Sequence, residues 1–157
     1  MKQLILFASV ALASGILFAN IYTSLVDARS WGASIPTSIE TAREYFKIVN
    51  AGNFFRVFAP INQVLALLAL ILFWKASSTV RIFLGAALLL YILGDVLTFA
   101  YFYPRNKIMF VTTPLPDIDT LKDAWRGWNT MNWVRSLDFF AGIVFSFLAL
   151  RKIYTAK

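Results

Sequence analysis

Four long apolar runs dominate this chain and constrain its fold more than any other feature. They cover residues 3–26, 54–74, 80–103 and 133–150. Each run is close to the roughly 20 residues that an α-helix needs to cross the hydrocarbon core of a bilayer. Because backbone polar groups must be satisfied internally in lipid, such runs predict helices. We therefore predict an all-α, polytopic transmembrane four-helix bundle that forms a single domain over residues 1–157.

The composition favours the membrane class and excludes several kinds of site. Of the 157 residues, 59% are hydrophobic and 15% are charged, which is too little charge to cover a soluble domain. The chain has no cysteine and no histidine, so disulfides, thiolate nucleophiles, His-ligated haem and Cys or His zinc sites are excluded within one chain. We expect no metal and no organic cofactor. The membrane lipids are the expected partners.

The basic residues predict the orientation in the membrane. The net charge of +7 comes from residues at run ends and in loops, which indicates membrane flanks rather than nucleic-acid binding. The two termini and the short second loop carry only basic charges, at Lys2, Lys75, Arg81, Arg151, Lys152 and Lys157. The two long loops mix basic and acidic residues over far more chain. We predict an integral protein of a bacterial plasma (inner) membrane with both termini cytoplasmic.

The start of the chain and the two long loops carry further signals. The first run resembles a secretory signal peptide, but its apolar character continues through Ile21, so we expect an uncleaved span. In the first long loop, the sequence from Thr37 to Glu40 fits a capping box, and helical apolar spacing predicts an amphipathic helix that Gly52 ends. That helix could lie on the membrane, cover the bundle or serve only as a connector.

The second long loop is expected to begin at Pro104, because proline rarely continues a helix. Asp117 or Asp119 is expected to cap the fourth helix, which would then start well above the membrane.

Nearly all strongly polar residues inside the runs lie toward the side of the two long loops. Polar side chains are costly in hydrocarbon, so they usually face the bundle interior and mark a site. We predict that they line one polar chamber beneath the loops. Its lining residues are Asn20, Ser24, Asp27, Arg56, Asn62, Gln63, Asp95, Thr98, Asn132, Arg135 and Asp138. Hydrogen bonds and ion pairs between helices would produce the same pattern, and that alternative stays open here.

Two charged residues lie inside the runs and need partners. Asp95 lies eight residues before Tyr103, which is about 12 Å along a helix, and Arg56 or Arg135 is its candidate counter-ion. Arg135 lies one turn inside the fourth run and is close enough to Asp138 for an ion pair on the same helix. The alternative for Arg135 is that its side chain extends to the membrane surface.

The chain resembles the anthrone-oxygenase-like family of small four-span membrane proteins, which is largely of unknown function. The resemblance covers nearly the whole chain. It rests on the first-run pattern from Gly15 to Asn20, the Pro104-Arg105-Asn106 sequence after the third run, and the Trp128-x3-Asn132-x2-Arg135 sequence at the fourth. The chain departs from the family's pattern at Asn132, where many relatives carry histidine.

The resemblance implies oxygenation of a hydrophobic phenolic or polyketide-like compound without a cofactor. Asp95 would remove a proton, Arg135 and Asn132 would stabilise the resulting enolate oxygen, and the carbanion would react directly with oxygen. The candidate substrate-binding residues are Asn20, Arg56, Asn62, Gln63, Thr98, Asn106 and Trp128. Two alternatives remain: a non-catalytic binder or carrier of a lipid, quinone or other hydrophobic small molecule, and an accessory membrane subunit.

Overall fold

The computed structural model describes residues 2–155, and within that range it contains five helices and no strand. The helices are α1 (Lys2–Gly32), α2 (Thr37–Tyr45), α3 (Ala51–Leu72), α4 (Ser78–Val111) and α5 (Ile118–Thr155). Short π-helical turns occur within α1 at Thr23–Asp27 and within α4 at Thr98–Phe102 and Lys107–Val111. All but α2 are long and apolar enough to cross a membrane. The predicted all-α membrane bundle is confirmed.

The four long helices form a ring in which each helix packs against the next, in the order α1, α3, α4, α5 and back to α1. The interior is apolar and includes Leu6, Ile16 and Leu84. Large apolar side chains also cover the outside, where Leu89 and Leu137 are 68% and 67% exposed. In water such a surface would be unfavourable, but in a bilayer it contacts lipid tails.

Two glycines allow α4 and α5 to approach each other closely. Gly94 lies against the ring of Phe139, and a Cβ atom on Gly142 would lie 2.6 Å from a ring carbon of Tyr91. Small residues at such crossings are typical of helix packing in membranes. The rings of Tyr91 and Phe139 then pack together with centroids 5.6 Å apart, and the Tyr91 hydroxyl lies 3.3 Å from Ser146 Oγ. This seam continues into the wall of the cavity described below, which Gly94 and Phe139 line.

A second buried core lies beyond one end of the ring, opposite the chain termini. We call this layer the cap, and it comprises residues 28–50 and 103–125. Its buried apolar residues come from both segments and include Ala28, Trp31, Ile39, Met109 and Leu121. The indole nitrogen of Trp125 donates a hydrogen bond to the Ala28 carbonyl at 2.6 Å. The helix in the first long loop therefore covers the bundle.

Arg43 fastens α2 to the end of α4. Its guanidinium donates hydrogen bonds to three backbone carbonyls, those of Met109 at 2.7 Å, Thr112 at 3.0 Å and Ile108 at 3.3 Å. The last carbonyls of a helix lack partners within the helix, and a cation there also interacts favourably with the helix dipole. One side chain thus holds the two loop segments of the cap together.

Two local predictions in the first long loop were wrong. The predicted capping box at Thr37 does not form; instead, the Ser38 hydroxyl donates to the Trp31 carbonyl at 2.5 Å and ties α2 to the end of α1. The helix ends at Tyr45 rather than at Gly52, which lies in the first turn of α3. The sequence shows where a helix is favoured, but packing against α1 decides where this one begins and ends.

The second long loop is shorter than expected because α4 continues to Val111. Pro104 falls in the first turn of a short α-helical stretch between two π-helical turns, a position that tolerates a missing N–H group. The predicted cap of the last helix is confirmed. Asp117 accepts the Thr120 N–H at 2.9 Å and the Thr120 hydroxyl at 2.7 Å, and these hydrogen bonds hold the pKa of the Asp117 carboxyl below its usual value.

Replacing Arg43 by glutamine is expected to loosen α2 without unfolding the bundle. Loss of hydrogen bonds from a charged donor costs about 2 kcal/mol, so amide exchange in α2 and residues 107–112 should accelerate by about tenfold or more. Hydrogen exchange followed by mass spectrometry measures this directly. Arg126→Gln is the matched control, because Arg126 is exposed and only pairs with Asp123 at 3.9 Å. Equal exchange in both variants would show that Arg43 does not hold the cap.

Candidate functional site

A cavity of about 880 Å³ lies between the cap and the cap-side halves of the spanning helices. This volume is in the range of small-molecule sites. The structure brings together in it five of the polar residues that the sequence assigns to one chamber, Asn20, Arg56, Asp95, Thr98 and Arg135, and two further candidate substrate-binding residues, Asn106 and Trp128. These residues come from α1, α3, α4 and α5, so the site is built by the whole ring.

Six predicted lining residues do not line the cavity, namely Ser24, Asp27, Asn62, Gln63, Asn132 and Asp138. Asn62 is fully buried, and its Oδ1 accepts a hydrogen bond from the Ser9 hydroxyl at 3.2 Å between α3 and α1. Gln63 and Asn132 also do not line the cavity, but each binds a residue that does. Asn132 shares a helix face with the lining residues Trp128 and Arg135, but its side chain is bound to Asn20 and Ser24 of α1, behind Arg135. The one-sided polar pattern therefore predicted the level of these residues but not which helix interface they fill.

Arg135 is buried in the wall of the cavity, with 5% of its surface exposed. Its guanidinium donates to Asn132 Oδ1 at 2.5 Å and to the Thr98 hydroxyl at 3.2 Å. The guanidinium carbon also lies 4.1 Å from the ring centroid of Phe102 and 5.2 Å from that of Phe55. Cations over aromatic faces are attracted by the ring quadrupole. The alternative that Arg135 extends to the membrane surface is wrong.

Asn132 supports Arg135 and joins it to α1. Its Nδ2 donates to the Asn20 carbonyl at 2.9 Å and to Ser24 Oγ at 2.6 Å, which leaves Oδ1 free to accept from Arg135. Through Thr98 the same network reaches α4. The position of the guanidinium is therefore fixed from three helices.

The Arg135 guanidinium has no anionic partner in the part of the chain that the structure describes. The predicted ion pair with Asp138 does not form, and the buried Asp138 Oδ2 has no hydrogen-bond partner. Asp95 shares the cavity but makes no ion pair with Arg135. The Nε–H of Arg135 is buried and makes no hydrogen bond with the described residues. Asp95 is near enough to attract the Arg135 charge, but no carboxylate of the described residues contacts the guanidinium.

The hydrogen-bond partner of Asp95 is neutral, and its predicted counter-ion Arg135 attracts it without contacting it. The Gln63 amide donates to Asp95 Oδ2 at 2.7 Å and also lies 3.4 Å from the Tyr91 carbonyl. Neither Arg56 nor Arg135 pairs with the carboxyl group among residues 2–155. The amide orients Asp95 from the neighbouring helix α3 without neutralising a charge. Asp95 is therefore available to a molecule in the cavity.

Further polar atoms without partners lie on the cavity lining. The Asn20 side chain is fully buried, and neither its Nδ2 nor its Oδ1 makes a hydrogen bond with the described residues. The indole N–H of Trp128 is also buried and unpaired there. An unsatisfied buried polar atom costs about 1–3 kcal/mol, and native structures contain few of them. Together with Arg135, these groups offer N–H donors that suit an oxygen acceptor.

Aromatic rings form much of the remaining wall. Trp31 packs edge-on against Trp128 with centroids 5.0 Å apart, and Phe102 packs against Trp128 at 5.3 Å. Phe55 and Phe99 also line the cavity. These rings present flat apolar surfaces, so the site combines polar anchors with walls that suit a planar hydrophobic group.

Three basic residues that the sequence reasoning did not assign to the site also line the cavity, namely Arg43, Lys47 and Lys107. Lys47 was expected on the outer face of the loop helix. The sequence predicts that Lys107 lies in a loop, because proline rarely continues a helix and Pro104 precedes it. The absence of further proline or glycine between positions 105 and 111 is the signal that could have extended α4.

Comparison with protein-family models, with curated proteins and with solved structures finds no match for this chain. The resemblance to the anthrone-oxygenase-like family therefore stays a prediction, and function must be argued from the cavity itself.

Proposed function

We propose that this membrane protein binds a hydrophobic small molecule that carries an acidic oxygen, such as a phenol, an enol or a carboxylic acid. The observation that carries the proposal is the buried guanidinium of Arg135, which faces the cavity and makes no direct ion pair among the described residues. The apolar part of the ligand lies between the aromatic walls, and its oxygen lies at Arg135.

The energetics of burial support an oxyanion as the missing partner. A buried charge is strongly unfavourable unless it is paired and hydrogen-bonded. Contacts with Phe55 and Phe102 offset part of this cost, but the Nε–H stays unsatisfied. A ligand oxygen at the cavity face of the guanidinium would supply the opposite charge. The fully buried Asn20 amide lies directly behind the lining surface and would recognise a second oxygen after a shift of its side chain.

A second candidate function is cofactor-independent oxygenation of a phenolic or polyketide-like compound, as the family resemblance implies. The observation that favours it is Asp95, which lines the same cavity as Arg135 and has only an amide partner. Asp95 would remove one proton from an activated methylene while Arg135 stabilised the enolate oxygen. The carbanion would bond to dioxygen, the resulting peroxide would regain the proton, and loss of water would leave a carbonyl. The methylene and dioxygen thus become a carbonyl and one water.

We also propose that the cap faces away from the cytoplasm of a bacterium. The support is the excess of basic over acidic residues at the two termini and at the short turn between α3 and α4. The cavity would then face the outer half of the bilayer and the periplasm.

Removing the Arg135 charge is expected to weaken ligand binding. In purified protein, 1,8-dihydroxyanthraquinone is expected to quench the fluorescence of Trp31 and Trp128, which line the cavity. Arg135→Gln should raise the Kd by about ten- to hundred-fold, because a hydrogen bond to a charged group is lost, whereas Arg135→Lys should retain part of the affinity.

The matched control for this experiment is Arg126→Gln, an exposed arginine on the same helix. Unsubstituted anthraquinone, which lacks an acidic oxygen, should bind wild type weakly. Thermal unfolding of each variant separates loss of binding from loss of fold. If folded Arg135→Gln binds dihydroxyanthraquinone as tightly as wild type does, Arg135 is not the anchor and the proposal is wrong.

Measuring oxygen consumption distinguishes the oxygenase hypothesis from the hypothesis that the protein only binds its ligand. With 1,8-dihydroxyanthrone as substrate, the oxygenase hypothesis predicts uptake above the spontaneous rate for wild type and near that rate for Asp95→Asn. Asp138→Asn is the control, because Asp138 is a carboxyl group in the same bundle that does not line the cavity. Equal rates for wild type and Asp95→Asn would remove Asp95 as the base. Binding without uptake in wild type would leave the non-catalytic binder.

Alkaline phosphatase fusions test the orientation. Fusions after residues in the 112–117 loop should be active, because the enzyme folds only outside the cytoplasm, and fusions in the 73–77 turn should be inactive. The reverse pattern would place the cap in the cytoplasm.

A further inference from the structure

We infer that the occupant of this cavity is an acidic amphiphile that comes sideways from the bilayer leaflet on the cap side, through a slit between α3 and α4. This inference rests on the proposed binding function and adds the source of the ligand and its path. The residues that both line the cavity and are exposed on the outside mark the slit, and they include Arg56, Pro60, Phe99, Tyr103 and Lys107.

The slit reaches well into the region that lipid tails surround. Pro60 lies nine residues inside α3, which is about 13 Å along the helix. Opposite it on α4, Phe99 lines the cavity and is still 64% exposed. The hydrogen bond from Gln63 to Asp95 joins α3 and α4 just below this level. Above it, residues 103–106 of α4 pack against α5 and leave α3 apart.

Along its length the slit changes from apolar near the bilayer centre to charged at the cap, as a bilayer leaflet changes from lipid tails to head groups. Phe99 and Pro60 form its inner part. Arg56 lies nearer the cap, and Asn106 and Lys107 belong to the cap itself. Neither Arg56 nor Lys107 makes an ion pair within residues 2–155. An amphiphile in the leaflet would place its acidic head at these cations and its apolar part at the inner rings. The head could then move inward to Arg135 without leaving contact with positive charge.

The segment between α2 and α3 places the mouth of the slit in lipid. Ile48 is 90% exposed and Val49 is 63% exposed, and they directly precede Asn50, which lines the cavity. The spanning helix α3 begins at the next residue, Ala51. Large apolar side chains that are exposed immediately before a spanning helix fit the interfacial region of a bilayer.

Blocking the slit from the lipid side tests this route. The natural chain has no cysteine, so Phe99→Cys and the control Val96→Cys can each be alkylated at a single position. Val96 is 52% exposed on the same helix but does not line the cavity. In phosphatidylcholine vesicles, N-cyclohexylmaleimide on Phe99→Cys should slow binding of 1,8-dihydroxyanthraquinone at least tenfold, measured by stopped-flow tryptophan quenching. The same reagent on Val96→Cys should leave the rate unchanged.

A ligand that cannot dissolve in lipid provides the second arm. A sulfonated dihydroxyanthraquinone keeps the acidic oxygens but stays in water, and it should fail to reach the cavity of protein in vesicles. If it binds as fast as the parent compound, or if alkylation at position 99 changes nothing, the ligand comes from water and the lateral route is overturned. The dependence on Arg135 would still support the binding function. If unmodified protein shows no quenching, both proposals fail.

Arg56 and Lys107, which make no ion pair within residues 2–155, allow a third test. Raising the salt concentration screens long-range attraction and should slow association in wild type. The double substitution Arg56→Gln and Lys107→Gln should slow association at low salt and remove most of the salt dependence, whereas Lys122→Gln, outside the cavity, should behave as wild type. An unchanged salt dependence in the double variant would show that these cations do not attract the acidic head.

Discussion

The hydrogen bonds of Asn132 are the interaction on which the rest of the site depends. Its amide nitrogen is held by α1, its amide oxygen holds Arg135, and Arg135 reaches Thr98 on α4. A polar network in a bundle of apolar helices sets their register, because slipping one helix would leave several buried polar groups unpaired. The same network prevents Arg135 from turning toward the membrane surface. Architecture and candidate chemistry therefore share one set of contacts.

The sequence contained enough information to predict the spanning helices and the level of the site. Apolar runs of about 20 residues admit few alternatives in lipid, and the polar residues of four such runs had to meet at one end of the bundle. The pattern did not show which side chains contact the cavity and which contact a neighbouring helix. Gln63 and Asn132 were expected to touch a ligand, but each orients a residue that lines the cavity. Each of them is three residues from a lining residue on its own helix, Pro60 for Gln63 and Arg135 for Asn132, so spacing alone does not distinguish the wall from its support.

Charge pairing was the least predictable feature. Asp95 and Arg135 were expected to neutralise each other or a neighbouring charge, yet Asp95 binds an amide and Arg135 binds an amide, a hydroxyl and two rings. Spacing along a helix shows which groups can meet, but tertiary packing selects among them. The cap illustrates the same limit. The helical spacing places Arg43 on the polar face of the amphipathic loop helix. Its carbonyl partners, however, lie more than sixty residues away in the chain.

Pro60 gives the cavity one compliant wall. Proline has no N–H to donate to the Arg56 carbonyl, so α3 lacks a backbone hydrogen bond where it borders the slit. The hydrogen bonds of Asn132 and Arg135 join α1, α4 and α5, and those of Arg43 join α2 to the end of α4. The first half of α3 takes part in neither set of hydrogen bonds. Val57 and Ile61 are exposed on the outside of this segment, so an outward bend displaces lipid on that side, while Ala59 packs in the core on the other side. We therefore expect this protein to accept acidic amphiphiles of varied girth and to discriminate among them mainly by the group presented to Arg135.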